Sequence, residues 1–211
     1  MRQGSVGGQG EAMMREKEHP VGYADAALGW QPSEPGEIGL VLYRYTYALA
    51  IAADIPKAAR GMYLDFGCGT GFGTEIVAAH FEKSFGVDRR LECLEYAERH
   101  HGRAGTVYCS GLSNPDGHYD FVTMLEVIEH LEVEEAKALV RILSSRIAPH
   151  GVLHITTPVA RRKDGSNPDN HYHVHEYQPG ELREILLERF SQVKISPFGM
   201  FFHAVCREPK L

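Results

Sequence analysis

The chain has 211 residues, 43% of them hydrophobic and 24% charged, which is ordinary for a globular protein and long enough for one domain with a sizeable core. Its 22 basic and 28 acidic residues leave a net charge of −6, which excludes an overall basic, nucleic-acid-binding character and leaves only local patches for such work. Cys68, Cys93, Cys109 and Cys206 are scattered without a CxxC pair, so reduced thiols and a cytoplasmic location are expected rather than a disulfide framework.

Residues 1–18 are rich in Gly, Gln and charge and read as a flexible tail without the apolar stretch of a signal peptide. The rest, 19–211, is expected to form a single domain. The run from Glu37 to Ile55 has a broad apolar face and predicts a helix over about 37–54 that stops before Pro56; Arg44 and its tyrosine neighbours make it too mixed to span a bilayer. Strand-like segments then alternate with helical ones: strand 61–66, helix 72–81, strand 84–88, helix 90–101, and strand 105–109. Strand 119–124, helix 133–147 and strand 151–157 follow. Alternation of this kind predicts an α/β fold with a parallel sheet covered on both faces. A loop at 158–177, long enough to act as a lid, leads to a helix at 179–189. Two β-rich segments, 190–196 and 200–206, flank the short turn Pro197-Phe198-Gly199 and predict an antiparallel hairpin.

Open parallel sheets bind ligands beyond the carboxyl ends of their strands, so the turn after the first strand matters most. It reads Asp65-Phe66-Gly67-Cys68-Gly69-Thr70-Gly71, where glycines let the backbone approach a ligand closely. A dinucleotide fingerprint would need glycine at the sixth position, which is Phe72 counted from Gly67 and Thr74 counted from Gly69. A P-loop would need a lysine, and there is none between Ala59 and Lys83. What remains is DxGxGxG after an apolar strand, with Asp88 at the end of the next strand, where a carboxylate can accept hydrogen bonds from both ribose hydroxyls of an adenosine.

This turn resembles motif I of class I S-adenosylmethionine-dependent methyltransferases. Gly86-Val87-Asp88 is similar to their ribose-binding position, and Tyr119-Asp120-Phe121-Val122 and Ile147 to Leu153 continue the likeness, which covers roughly 37–206. The resemblance implies a Rossmann-like doubly wound sheet of seven strands in the order 3-2-1-4-5-7-6, the last antiparallel. It also implies S-adenosyl-L-methionine as cofactor, held by Gly67, Gly69, Gly71 and Asp88, with Asp65 anchoring the turn or the methionine amine. Cys68, Arg89, Leu112 and Leu125 complete the expected cofactor-binding set. The family often places an acidic residue at the adenine after the third strand. Here that stretch is Tyr108-Cys109-Ser110-Gly111-Leu112, so Ser110 or a carbonyl is left to replace it, with Leu112 against the ring.

After the fourth strand comes Leu125-Glu126-Val127-Ile128-Glu129-His130. On a helix, Glu126, Glu129 and His130 would share one face, a grouping suited to acid/base work or to a divalent ion. The ExxEH pattern resembles that of ubiquinone-biosynthesis O-methyltransferases, where it is associated with divalent metal. It is similar too to the small-RNA 3′-terminal 2′-O-methyltransferases, whose further histidine ligand would correspond to His173. The same pattern with a later HxxEY is similar to that of many sugar- and small-molecule methyltransferases for which no metal is established. Glu126, Glu129, His130 and His173 are therefore the expected catalytic residues and the expected ligands of any Mg²⁺-like ion.

Two further features stand outside these motifs. Tyr45 or Tyr47 on the first helix is placed to shield the sulfonium or contact substrate, with a core role as the rival reading. Arg161-Arg162-Lys163 in the lid is a solvated cluster or an anion contact. The expected activity is methyl transfer to oxygen of a small-molecule or sugar-like acceptor. A small-RNA or nucleoside 2′-O-methyltransferase and a non-catalytic cofactor-binding subunit are the alternatives.

Overall fold

The computed structural model of the chain describes residues 35–112 and 117–210; the expectations for the tail at 1–18 lie outside them. Helix α1 (Pro35–Ala53) precedes a 3-10 turn at Lys57–Ala59. Then come β1 (Met62–Phe66), α2 (Phe72–Ala78), β2 (Lys83–Val87), α3 (Leu91–His101), β3 (Thr106–Cys109) and β4 (Tyr119–Leu125). A second 3-10 turn, Ile128–His130, leads to α4 (Val133–Ser144), β5 (Ile147–Pro158), α5 (Pro179–Leu187), β6 (Phe190–Phe198) and β7 (Phe201–Pro209). The seven strands form one sheet in the order β3-β2-β1-β4-β5-β7-β6. Pairings from β3 through β5 are parallel, and β7 is antiparallel to both β5 and β6. The expected strand order and its antiparallel end are therefore those of the molecule.

Burial explains why these segments pair as they do. All seven residues of β4 are buried, the signature of a central strand covered on both faces. The strand β1 buries Tyr63, Leu64 and Asp65, and Leu153 and Ile155 do the same in β5. Two clusters flank the sheet. One, around Leu64, Met124, Leu143 and Phe202, takes the inner faces of α4 and α5; the other, around Tyr63, Phe121 and Val77, takes α1 and α2. Helices α4 and α5 each begin with a capping box, Glu132 with Glu135 and Gln178 with Glu181, which satisfies first-turn amides.

Several boundaries differ from the expectations, and α2 ends at Ala78 rather than at 81. Helix α4 stops at Ser144, short of Ile147, because Ile147 already pairs with Tyr119 as the first residue of β5. The final hairpin turns at Gly199-Met200 rather than Pro197–Gly199: Pro197 and Phe198 belong to the ladder opposite Phe202 and Phe201, and Gly199 takes the φ of +56° that the tight turn needs. The ExxEH segment is not a helix. Glu126 sits at φ 55°, and only the single 3-10 turn at 128–130 follows.

Helix α1 lies over α2 at one specific point. The ring of Tyr45 rests on the bare backbone of Gly73, where an added Cβ would fall inside the ring. Behind it, His154 of β5 and His203 of β7 are buried and hydrogen-bonded to each other at 2.9 Å, with Tyr47 stacked 4.1 Å from the His203 ring. Burial holds the pKa of both imidazoles down, that of His203 to about 4, so the pair is neutral under α1. Gly73→Ala is expected to destabilise the fold by about 1–3 kcal/mol through overpacking against Tyr45, measured by urea denaturation. A change below a few tenths would show that α1 rests on α2 elsewhere.

Candidate active site

The sheet order reverses between β1 and β4, and the site is built where their carboxyl ends part. The turn after β1 leaves the strand at once. Gly67 and Cys68 both donate their N–H groups to the carbonyl of Val87 on β2, at 2.7 and 2.9 Å. Gly67, Gly69 and Gly71 all have φ between 53° and 83°, a region a side chain disfavours. At Gly69 an added Cβ would meet nothing within 4 Å, so the bare backbone faces open space. The Gly69 amide donates to Asp88 Oδ2 at 2.9 Å, and the Arg90 amide donates to Oδ1 at the same distance. One bond per oxygen leaves the carboxylate with further lone pairs. Asp88 is thus fixed in direction and still able to accept.

Beneath the turn Asp65 is fully buried and receives three hydroxyls. Tyr45 of α1 and Thr74 of α2 donate to Oδ2 at 2.9 and 2.7 Å, and Thr123 of β4 donates to Oδ1 at 2.7 Å. Burial raises the pKa of this carboxyl and the three hydroxyls pull it back. Every bond made by Asp65 goes to the scaffold. It is an anchor for the turn.

The acidic segment after β4 takes its shape from strain rather than from a helix. Glu126 adopts a left-handed φ of 55°, a backbone state costing about 1–3 kcal/mol for a residue with a Cβ and commonly kept at functional sites. Its amide donates to the Thr156 carbonyl at 3.0 Å, and its Oε1 accepts from the Thr156 hydroxyl at 2.8 Å. The other oxygen pairs with Arg44 of α1 at 2.8 Å, and the Arg44 guanidinium lies 4.5 Å from the Phe201 ring centroid. Sequence reasoning did not single out Arg44 as Glu126's partner; its one signal was a lone cation within an apolar helix.

Glu129 is fully buried. Its Oε2 accepts from Thr157 at 3.0 Å, while Oε1 has no partner among the described residues. Burial, and next the negative charge of Glu126, raise its pKa well above the ordinary carboxylate range. His130 and His173 stand beside it with ring centroids 5.2 Å apart, and one ligand-capable atom from each of Glu129, His130 and His173 lies within 4.8 Å of the others. Three of the four expected residues therefore converge. Glu126 is turned to Arg44.

The loop at 158–177 is tied down over this group. The amides of Val174 and His175 both donate to the Glu129 carbonyl, at 2.8 and 3.1 Å. His130 Nδ1 lies 2.8 Å from the Tyr172 carbonyl, and His173 Nδ1 lies 2.7 Å from Glu176 Oε1. A bridge between Val159 and Tyr177 closes the base of the loop. Arg161 in the same loop is exposed and faces Asp169 at 3.5 Å.

These parts enclose a cavity of about 650 Å³, within the range of small-ligand sites. One side is the glycine turn with Asp88, Arg89 and Ser110; the other is Glu129, His130 and His173, with Arg44, Tyr45 and Leu125 between. Cys68 and Gly69 line it directly, whereas Asp65, Gly71 and Leu112 stand behind the lining. Burial drives the thiol of Cys68 upward, which leaves it a neutral wall. Tyr47, the other shielding candidate, packs on the histidine pair.

Residues 43–189 match the family model of a methyltransferase domain. Over 150 residues the chain is 25% identical to the probable S-adenosylmethionine-dependent methyltransferase Rv3030 of Mycobacterium tuberculosis, covering 69% of this chain and 54% of the relative. A probable S-adenosylmethionine-dependent methyltransferase of Mycolicibacterium smegmatis is 27% identical over 129 residues, covering 58% of this chain and 49% of its own length. The chain thus spans about half the length of these curated relatives. Among solved structures, N-methyltransferase NodS from Bradyrhizobium japonicum, in complex with S-adenosyl-L-homocysteine, superposes with a TM-score of 0.66 at 17% identity. That match covers 89% of this chain and 97% of NodS. A DhpI complex with the same ligand gives 0.59 at 20% identity, over 81% of this chain and 98% of DhpI. At such identities the structures share the fold.

The buried Glu129 carboxyl generates a pH prediction. Its raised pKa means that the folded state holds the proton more tightly than the unfolded chain, so its contribution is present at low pH and lost as pH rises through the folded value. Glu129→Gln has no such loss. The melting temperature of the variant is expected to match the wild type near pH 4 and to exceed it increasingly toward pH 8, in paired thermal melts. A gap that shrinks as pH rises would mean the carboxylate is stabilised where it sits.

Proposed function

The chain belongs to the methyltransferase-domain family of the class I fold, and from that premise we propose that it transfers the methyl group of S-adenosylmethionine to a hydroxyl oxygen of a small acceptor. The observation that carries the acceptor half is the convergence of Glu129, with its unpartnered Oε1, on His130 and His173 across the cavity from the glycine turn. A hydroxyl is a poor nucleophile until its proton leaves, and a carboxylate of raised proton affinity beside two imidazoles is suited to take it.

The cofactor half rests on fit. Gly69 offers bare backbone to the cavity, and Asp88 is aimed by two amides with lone pairs to spare for ribose hydroxyls. S-adenosylmethionine, when bound, supplies a methyl group on an activated sulfonium leaving group. The chain's own tasks are alignment, water exclusion and proton removal. Tyr45 and Leu125 wall the cavity midway, and Arg44 neutralises Glu126, so that of the two glutamates lining the cavity Glu129 is the one without a paired cation among the described residues.

A second reading places a divalent cation on the same three residues, and their ligand atoms lying within 4.8 Å favour it. A mixed carboxylate and imidazole set suits Mg²⁺, Mn²⁺ or Zn²⁺, and such an ion would lower the pKa of an acceptor hydroxyl. Arg44 keeps Glu126 out of that set, which counts against the four-ligand arrangement that an RNA acceptor implies.

Calorimetric titration is expected to show S-adenosylhomocysteine binding, lost at least about tenfold in Asp88→Ala, with no binding of NAD. Methyl-labelled cofactor offered with hydroxyl, amine and thiol acceptors, with and without Mg²⁺ or Mn²⁺, should label hydroxyl compounds. Glu129→Gln should lower that turnover by about 10²–10⁴-fold, the usual worth of a general base, at unchanged cofactor affinity. Binding of NAD in place of S-adenosylhomocysteine would sink the cofactor reading, and label confined to amines would sink the oxygen reading.

A further inference from the structure

Glu176 sits in the loop behind the site, 2% exposed, and does not line the cavity. Its position is over-determined: its amide donates to the Gly165 carbonyl at 2.8 Å, and Gly165 has the positive φ of 75° and no room for a Cβ against the ring of His175. Oε1 is the acceptor for two neighbours, the side-chain amide of Asn167 at 2.6 Å and His173 Nδ1 at 2.7 Å; Oε2 is buried with no partner among the described residues. Keeping a carboxyl in so dry a place costs free energy. The Asn167 contact alone could be made by any small acceptor.

A carboxylate can only accept, so with Glu176 in that form the proton between it and His173 belongs to Nδ1. In a neutral imidazole this leaves Nε2 with the lone pair. The same logic holds at His130, whose Nδ1 faces the Tyr172 carbonyl, a group that can only accept. Both site histidines thus have Nδ1 occupied by an acceptor from one loop, whose backbone is in turn held on the Glu129 carbonyl by Val174 and His175.

We propose that Glu176 is a positioning residue: its carboxylate holds His173 in the Nδ1–H tautomer, so that the Nε2 lone pair is presented to the cavity beside Glu129. The inference rests on the reading of His173 as part of the working cluster. It serves proton removal and cation ligation alike, because both need an unprotonated nitrogen of defined direction. It also accounts for a carboxylate at 176. Of the side chains that fit there, Asp or Glu alone is acceptor-only, and an amide can turn its NH₂ toward the ring.

The test uses the full chain and neither acceptor nor metal. Long-range ¹H–¹⁵N spectra at about pH 8, above the ordinary histidine pKa of about 6.5, read the tautomer of each imidazole. His173→Gln assigns the signal. The expected result is Nδ1–H for His173 in the wild type, replaced by a mixture of tautomers in Glu176→Ala. The near-isosteric Glu176→Met should give the same mixture if the smaller residue fails to fold. S-adenosylhomocysteine affinity should stay within about twofold in each variant. An Nε2–H tautomer or an imidazolium in the wild type would overturn the proposal, as would an unchanged tautomer in both apolar variants. A tenfold loss of S-adenosylhomocysteine affinity in them would assign Glu176 to folding instead. Because the spectra involve no methyl transfer, this outcome is independent of whether oxygen is the acceptor.

Discussion

Asp65 is the constraint on which the molecule turns. It is a fully buried carboxyl at the end of β1 that receives hydroxyls from α1, α2 and β4. Three segments distant in sequence are thereby drawn to one point directly beneath the glycine turn. Hydrogen bonds to a charged acceptor are worth roughly 1.5–3 kcal/mol each, enough to offset burial of the group only if all are made together. The turn above inherits that rigidity. Its amides are already directed to Val87 and Asp88, so the backbone a cofactor would meet is in place before anything binds.

The same anchor gives α1 its role. Tyr45 reaches Asp65 across the flat backbone of Gly73, and the preceding residue, Arg44, is thereby delivered to Glu126. Two acidic residues three positions apart thus acquire different characters. Glu126 is neutralised by a guanidinium held on Phe201, while Glu129 is buried with an oxygen that no described residue satisfies. Environments that push two carboxyls apart divide labour between them. The left-handed φ of 55° at Glu126 turns the chain away from β4 directly after its amide has bonded the Thr156 carbonyl.

Much of the architecture was legible in the sequence because it rests on local, contiguous signals. Apolar runs bounded by glycine, helical spacing between them and a short final turn are enough for the elements and the antiparallel hairpin, whereas the strand order followed from the resemblance of the glycine turn to the family's motif I. The glycine-turn side of the cavity was equally legible, since Gly67, Gly69 and Asp88 directly follow the ends of two neighbouring parallel strands. The ExxEH segment was misread in its geometry. Spacing of three and four residues satisfies a helix, but Glu126 is held in a left-handed conformation by its tie to β5, a contact to which local periodicity is blind. The loop residue His173 was found by its motif; the consequence of Arg44 was not, because Glu126 lies on another segment, nor was that of Glu176, because its contacts with Asn167 and His173 depend on how the loop folds.

What the sequence by itself determined is the α/β alternation and the turn with Asp88, which depend on hydrophobic pattern and on glycines within one short stretch, and the likeness of that turn to the family's motif I implied the sheet order. What only the tertiary structure decided is which polar groups face the cavity together. Glu129, His130 and His173 meet because the loop after β5 folds back and hydrogen-bonds to the Glu129 carbonyl, and Glu126, on the same cavity wall, is paired because α1 brings Arg44 to it. The physical reason is that burial and unpartnered charge are properties of a place in the fold. Residue spacing does not carry them.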